Sequence, residues 1–114
     1  MNQETQNHYE ATKSVKKYRI GLMAGDGIGP EISETAKQVT EKAVNHFSPQ
    51  SLEWVHLPIG WEAIHQDKLP LPQETLDELE TCDGWVMGPH DSASYPKKFQ
   101  GSLNPSGAIR KYFD

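Results

Sequence analysis

Met23-Ala24-Gly25-Asp26-Gly27-Ile28-Gly29-Pro30-Glu31 is the stretch that decides the fold of this 114-residue chain. It follows an apolar, β-prone segment at residues 17–22 and precedes a run with helical periodicity. Its three glycines, at alternate positions, therefore lie where a strand turns into a helix, and each can adopt a positive φ or let another backbone approach closely. Pro30 suits the first turn of a helix because it has no N–H to leave unpaired, and Glu31 suits the positive end of the helix dipole.

The glycine spacing leaves two roles open for this turn. The pattern G-x-G-x-G differs from the dinucleotide fingerprint G-x-G-x-x-G, and no Lys-Ser/Thr pair follows it as in a phosphate-binding P-loop. Unpaired N–H groups at a helix start can hold an anion, whereas many glycine-rich turns serve packing alone. The residues by themselves thus predict either a tight structural turn or a ligand-binding loop. We expect Asp26 to accept hydrogen bonds from N–H groups of the turn rather than to bind a metal.

Composition indicates one modest α/β unit or part of one. Only 35% of the residues are apolar, and glycine and proline together make up 17 of 114. That apolar fraction is low for an independent α/β core. We therefore expect the core to be completed by residues outside this sequence.

Charge and cysteine content exclude several classes of partner. The net charge is −5, and thirteen of the sixteen acidic residues lie between Ala24 and Asp91, which argues against nucleic acid as a partner. No apolar run approaches the ~20 residues that span a bilayer, and the polar N-terminus lacks the apolar core of a signal peptide. Cys82 is the single cysteine, which fits a reducing compartment. We expect a cytoplasmic protein with no membrane partner.

Hydrophobic periodicity predicts the elements in chain order. Residues 1–15 are polar and predict a flexible N-terminal extension, so the α/β domain runs from 16 to 114. Strands are predicted near 17–24, 52–57 and 85–87, and helices at 30–47, 60–66 and 74–81. A strand, a long helix and a second strand form a βαβ unit with parallel strands. The apolar stripe of the long helix comprises Ile32, Ala36, Val39, Ala43, Val44 and Phe47.

Residues 88–103 follow the third strand and lack a regular period. Ligands bind outside the carboxyl ends of parallel strands, so this segment and the glycine turn should share one rim. Asn104-Pro105 then predicts the N-cap and first residue of a last helix. Arg110, about one turn further, either holds a carboxylate in a bidentate pair or is an ordinary exposed arginine.

Other polar residues give weaker signals. His90-Asp91 suggests acid–base or metal chemistry, but two adjacent residues lack the ligand number of a metal site, and loop polarity also explains them. His56 is interpreted as a strand residue and His65 as a helix-surface residue. No Ser-His-Asp, Cys-His or paired-carboxylate catalytic arrangement can be recognised in the sequence.

Three landmarks in order resemble the isocitrate/isopropylmalate dehydrogenase family, the metal-dependent β-decarboxylating dehydrogenases. The first is Gly-Asp-Gly-Ile-Gly-Pro-Glu at 25–31. The second is Leu-Pro-Leu-Pro at 69–72 with Thr75-Leu76, before a strand ending in Met-Gly-Pro at 87–89. The third is Leu-Asn-Pro-Ser-Gly-Ala-Ile-Arg-Lys-Tyr-Phe-Asp at 103–114. The resemblance covers nearly all of the chain outside the N-terminal extension.

What the resemblance implies is an α/β fold in which this chain supplies the N-terminal βαβ part of the family's sheet domain and is incomplete by itself. The implied reaction is NAD- or NADP-dependent and uses Mg²⁺ or Mn²⁺. It oxidises a 2-hydroxy acid of the isopropylmalate, isocitrate, tartrate or malate type and then releases the β-carboxylate as CO₂. The implied full-length enzyme is a homodimer.

The resemblance also implies roles for individual residues. Arg110 resembles the first of the arginines that hold the substrate carboxylates, and Asn104 and Ser106 resemble neighbours that contact substrate. The implied cofactor contacts are Ile28, Gly88, Leu103 and Asn104. The family's catalytic Tyr and Lys and its metal-binding aspartates follow the position of Asp114, so no catalytic residue and no metal ligand is assigned to this chain.

Three hypotheses follow for the function of the chain. In the first it is the N-terminal part of such a dehydrogenase and is inactive alone. In the second it is a truncated or regulatory relative that acts as an interaction module by pairing with a full-length subunit. In the third it is an unrelated small α/β domain that binds a phosphate at its glycine turn.

Overall fold

The central strand is β1 (Lys17–Met23), which pairs in parallel with a neighbour on each side in the order β2-β1-β3. The computed structural model describes residues 16–47, 51–101 and 103–114. Within those residues the elements in chain order are β1 (Lys17–Met23), α1 (Gly29–Phe47), β2 (Ser51–His56), α2 (Gly60–His65), α3 (Gln73–Glu80), β3 (Gly84–Met87) and α4 (Pro105–Phe113). Two 3₁₀ turns, Ser92–Ser94 and Lys97–Phe99, occupy the segment between β3 and α4.

The register of the sheet confirms the predicted parallel βαβ unit. β1 pairs with β2 from Lys17 opposite Ser51 onward, and with β3 from Ile20 opposite Gly84 onward. Each observed boundary lies within about two residues of its prediction, as expected where helix and strand ends are set by local signals. The predicted extension at 1–15 and the predicted end of the long helix at 48–50 lie outside the described residues.

A compact apolar cluster fills the face of the sheet opposite α1. It contains Leu76 and Leu79 of α3, the two leucines of that helix. Its other buried members come from β1, from the loop after β2 and from α4: Met23, Leu57, Ile59 and Ile109. This cluster fixes α3 and α4 against the sheet and so determines where the first turn of α4 lies relative to the rim.

The apolar stripe of α1 is largely exposed among the described residues. Among its apolar residues Ile32, Val39 and Phe47 are 47%, 63% and 83% exposed, and Ala43 is also exposed, whereas Ala36 and Val44 are half-buried. The buried residues of this helix are Gly29 and Ser33. Ser33 Oγ donates to the carbonyl of Ala24 at 3.3 Å. These small residues let the first turn of α1 lie against Ala24 at the end of β1.

None of the helices in the described ranges is long and apolar enough to cross a bilayer.

Candidate functional site

The glycine turn and the segment after β3 lie in direct contact at the carboxyl end of the sheet. Gly25 and Gly27 have φ angles of 83° and 58°, the left-handed conformation that the sequence predicts. Asp26 N donates to Pro89 O at 2.7 Å, and Gly88 N donates to Met23 O at 2.7 Å. The predicted shared rim is therefore confirmed.

Close packing accounts for two of the glycines without any ligand. A Cβ on Gly25 would lie 2.0 Å from Pro89 O, and a Cβ on Gly88 would lie 2.0 Å from Ala24 O. Real Cβ atoms do not approach a backbone oxygen so closely, and neither oxygen belongs to a movable side chain. The structure thus supports the structural interpretation of this turn.

Asp26 joins three segments of the rim. Its side chain is buried, with 6% exposed. Oδ1 accepts from Trp61 N at 2.8 Å, at the start of α2, and Oδ2 accepts from Asp91 N at 2.7 Å. Oδ2 also accepts from the Tyr95 hydroxyl at 2.6 Å. The expected role as an acceptor for N–H groups is confirmed, but the donors come from two other segments rather than from its own turn.

Tyr95 anchors the segment between β3 and α4. Burial, followed by the hydrogen bond to Asp26 and the charge of that side chain, raises the pKa of the Tyr95 phenol well above its usual range. Trp61 packs edge-on against its ring and donates from Nε1 to Ser94 Oγ at 2.7 Å. Gln100 Nε2 donates to the Tyr95 carbonyl at 2.9 Å. The residues that lead into α4 are therefore held from several sides.

The raised pKa of Tyr95 predicts a loss of stability at alkaline pH. Below pH ~10 the phenol is protonated in both folded and unfolded chains, so its contribution to stability is complete. Above that pH the unfolded chain gains by ionising while folded Tyr95 stays neutral, and the free energy of unfolding must fall. We expect urea melts between pH 9 and 11 to show a smaller fall in Tyr95→Phe than in the wild type. Tyr18→Phe, which removes a phenol from β1, is the control, and equal slopes in Tyr95→Phe and wild type would contradict this assignment.

The first turn of α4 carries the polar residues that the sequence analysis singled out. Asn104 is the N-cap, as predicted, and its Oδ1 accepts from Gly107 N at 2.8 Å. Ser106 Oγ donates to the same oxygen at 3.1 Å and lies 3.0 Å from His90 Nε2. The structure thus brings Asn104, Ser106 and His90 together in one hydrogen-bonded chain.

Arg110 lies one helical turn after Ser106, on the same side of α4. Its side chain is exposed and makes no ion pair or hydrogen bond with any residue of the described ranges. A guanidinium in this condition presents a permanent charge and five donors to solvent. It can therefore take a carboxylate without first breaking a contact with the part of the chain that the structure describes.

Two of the residues that the family resemblance implies as cofactor contacts are apolar and exposed. Ile28, in the glycine turn, is 65% exposed, and Leu103, just before α4, is 58% exposed. Leu103 also lines a cavity of ≈ 400 Å³ with Tyr95, Phe99 and Asn104. Gly88, by contrast, packs against Ala24, so its implied contact with a cofactor has no geometric support beyond its place at the rim.

Two of the weaker candidates are histidines on the surface of the described structure. His56 and His65 are exposed, as interpreted, and His56 Nε2 lies 2.8 Å from the Glu62 carboxylate. Residues 16–47, 51–101 and 103–114 contain no group of three or more His, Cys, Asp or Glu side chains that could hold a metal. The sequence analysis missed the link from His90 to Ser106, because the two residues are sixteen positions apart and no local pattern joins them.

The profile of the isocitrate/isopropylmalate dehydrogenase family matches residues 19–114. The 3-isopropylmalate dehydrogenase of Buchnera aphidicola subsp. Uroleucon rudbeckiae is 42% identical over 73 residues, which are 64% of this chain and 20% of that protein. 3-Isopropylmalate dehydrogenase 1, chloroplastic, of Arabidopsis thaliana is 35% identical over 99 residues, 87% of this chain and 24% of that protein. The 3-isopropylmalate dehydrogenase of Aquifex aeolicus (strain VF5) is 40% identical over 74 residues, 65% of this chain and 20% of that protein.

The chain spans about a fifth to a quarter of the length of these curated relatives. The family match nevertheless extends from the middle of β1 to the end of α4, and it includes the glycine turn and the polar start of α4. The chain therefore belongs to the isocitrate/isopropylmalate dehydrogenase family.

Proposed function

We propose that this chain supplies the substrate-facing N-terminal segment of a dehydrogenase that oxidises a 2-hydroxy acid and releases CO₂. One observation carries the proposal: the exposed guanidinium of Arg110, which pairs with none of the described residues, lies one turn after Ser106 on the helix that Asn104 caps. Relatives named 3-isopropylmalate dehydrogenase favour 3-isopropylmalate as the first substrate to test. Isocitrate, malate and tartrate are the other acids of the proposal.

Each of the three polar residues has a definite role in holding such an acid. Arg110 binds a carboxylate through two parallel N–H···O bonds, which fixes orientation as well as supplying charge. Asn104 Oδ1 already accepts two hydrogen bonds, so its amide NH₂, which has no partner in the described part of the chain, is left to donate to the substrate. Ser106 Oγ offers its remaining lone pair to a substrate hydroxyl.

The cofactor proposal rests on the family resemblance and on two exposed apolar side chains. Ile28 and Leu103 present side chains against which the rings of NAD or NADP can pack, and Gly88 and Asn104 complete the proposed contacts. The bound nicotinamide would accept hydride from the substrate. We prefer NAD, and no described residue distinguishes it from NADP.

The described residues do not form a binding site for Mg²⁺ or Mn²⁺. Mg²⁺ and Mn²⁺ require several oxygen ligands, and the described residues provide no carboxylate cluster. We therefore place the metal ligands, with the catalytic Tyr and Lys, outside this chain and derive no step through the metal. The same proposal includes a homodimer, which rests on the family resemblance. It also includes a cytoplasmic location, which rests on the single Cys82.

The role of Arg110 is tested in the protein made from the complete reading frame that contains this chain. With NAD⁺, Mn²⁺ and 3-isopropylmalate, Arg110→Gln should lower kcat/KM by about 100-fold, because a charged hydrogen-bond pair is lost. Arg110→Lys keeps the charge but loses the planar fork, and about a tenfold loss is expected.

Lys111→Gln is the matched control, since it removes a neighbouring exposed charge from the same helix. It should leave kcat/KM unchanged. A wild-type value for Arg110→Gln would refute the proposed substrate role. The 114-residue chain alone is expected to show no turnover, and activity in it would contradict the placement of the catalytic groups outside the chain.

An inactive interaction module is the second candidate function. No contact in the structure favours it, and the matched relatives are named as enzymes.

A further inference from the structure

His90 is held in a way that loop polarity does not explain. Its side chain is half-buried, and its Nδ1 is completely covered with no hydrogen-bond partner among the residues that the structure describes. A covered polar atom without a partner destabilises a fold, by roughly 1–3 kcal/mol. An apolar side chain of similar shape would avoid that penalty. The hydrogen bond of this side chain is therefore the one made by its other ring nitrogen.

That other nitrogen begins a directed chain of hydrogen bonds. Gly107 N–H donates to Asn104 Oδ1, which fixes this oxygen as an acceptor. Ser106 O–H donates to the same oxygen, so Ser106 Oγ is left to accept. His90 Nε2, 3.0 Å away, must then be the donor. This assignment places a hydrogen on Nε2, and in the neutral form of the ring Nδ1 is then bare.

The direction of the chain determines what Ser106 and Asn104 present to a ligand. With His90 donating, Ser106 keeps its hydroxyl hydrogen on Asn104, and the Asn104 amide is held with its NH₂ turned away from this network. Without a donor at position 90, Ser106 can rotate, and the Asn104 amide loses one of the two bonds that set its orientation. Both residues are among those proposed above to contact substrate.

We propose that His90 is a positioning residue for the substrate site, and that it acts by holding Ser106, and through it Asn104, in one hydrogen-bonding direction. This inference rests on the proposed function, because it assigns to His90 a role at the site formed by Asn104, Ser106 and Arg110.

Two isosteric variants separate the two ring nitrogens. His90→Gln places an amide N–H₂ near the position of Nε2 and can still donate to Ser106. His90→Asn places its polar atoms near the position of Nδ1 and is too short to reach Ser106. In the protein made from the complete reading frame, His90→Asn should raise KM for the 2-hydroxy acid about tenfold, with kcat within about twofold. His90→Gln should restore KM to within about threefold of the wild type.

A double-mutant cycle with Ser106→Ala identifies the path of the effect. If His90 acts through Ser106, the increase in KM caused by His90→Asn should disappear in the Ser106→Ala background. If the effects of His90→Asn and Ser106→Ala on KM were additive, the inference would be overturned. This comparison also separates positioning from simple loss of stability, because a destabilised fold would add its effect in either background.

A spectroscopic measurement gives a readout independent of turnover. In protein labelled with ¹⁵N-histidine, the His90 ring should show a protonated Nε2 and a bare Nδ1 at pH 8, and Ser106→Ala should shift the Nε2 resonance. A protonated Nδ1, or a resonance indifferent to Ser106→Ala, would overturn the inference.

The kinetic outcomes distinguish the inference from the proposed function. A wild-type KM in His90→Asn would overturn the role of His90 and leave the dehydrogenase proposal intact. An equal increase of KM in His90→Asn and His90→Gln would have the same consequence. Absence of turnover by the wild type with isopropylmalate, isocitrate, malate and tartrate would overturn the proposed function, and the role of His90 with it.

Discussion

Replacing Gly88 by alanine is expected to lower the melting temperature by roughly 10 °C or more, equivalent to about 3 kcal/mol of unfolding free energy. The added Cβ would lie 2.0 Å from Ala24 O and 2.9 Å from Ser33 Oγ. Gly88 N is itself held by Met23 O at 2.7 Å. Relief of the clash therefore requires the carboxyl ends of β1 and β3 to separate, which would also disturb the contact between the glycine turn and Pro89.

Gly84→Ala is the matched control for that substitution. Gly84 is the first residue of β3, the strand that Gly88 follows. Its φ is not positive, and a Cβ on it would meet nothing within 4 Å. Its unfolding free energy should stay within about 0.5 kcal/mol of the wild type. Thermal and urea melts of the two variants measure the difference directly. If Gly84→Ala and Gly88→Ala had similar melting temperatures and unfolding free energies, the carboxyl ends of β1 and β3 would not be packed as described.

The second large effect is expected for Asp26→Ala, which should remove about 3 kcal/mol or more of stability. The substitution deletes the acceptor for two backbone N–H groups and for the Tyr95 hydroxyl. A buried donor left without a partner destabilises by about 1–3 kcal/mol, and the bond from Tyr95 is buried while the two from backbone N–H groups are part-buried. Urea unfolding at pH 7 measures the loss.

Two further variants show whether this loss belongs to the network. Asp77→Ala removes an exposed carboxylate of α3 whose side chain bonds only Gln73 among the residues described, and it should change stability by less than about 0.5 kcal/mol. Tyr95→Phe should destabilise the wild type but have a smaller effect in the Asp26→Ala background, since the two residues share one hydrogen bond. If Asp26→Ala lost no more unfolding free energy than Asp77→Ala, Asp26 would not be the residue that holds the rim together.

Features determined by residues close in sequence were predictable. The alternate glycines before Pro30 require a strand-to-helix turn, and Asn104-Pro105 require a helix start, because the conformations involved depend on only a few neighbouring residues. The parallel order of the strands followed from the length of the connection between β1 and β2. The shared rim followed in turn, since parallel strands end on the same side of a sheet.

Features determined by distant residues were not predictable. An apolar stripe shows that a helix is amphipathic, but it does not reveal that Gly29 and Ser33 pack against Ala24 at the end of β1. The donors to Asp26 lie 35 to 69 positions further along the chain. No period or spacing in the sequence relates residues so far apart.

The candidate site shows the same division. Asn104 as a helix cap was predictable from its neighbour Pro105, and the structure confirms it. The roles of Arg110, Ser106, Ile28 and Leu103 toward a ligand came from the family resemblance and remain predictions. His90 was interpreted as loop polarity, because its contact with Ser106 exists only once the segment after β3 has folded back over α4.

The central position of β1 has a consequence for synthesis on the ribosome. β1 is complete at Met23, but its second neighbour in the sheet, β3, ends at Met87. At about 5–20 residues per second, roughly 3 to 13 s of translation separate the two events. During that interval one edge of the strand at the centre of the sheet has no pairing partner from this chain. The nascent polypeptide thus carries an open strand edge for seconds, a period in which binding by a chaperone at the tunnel exit would compete with aggregation.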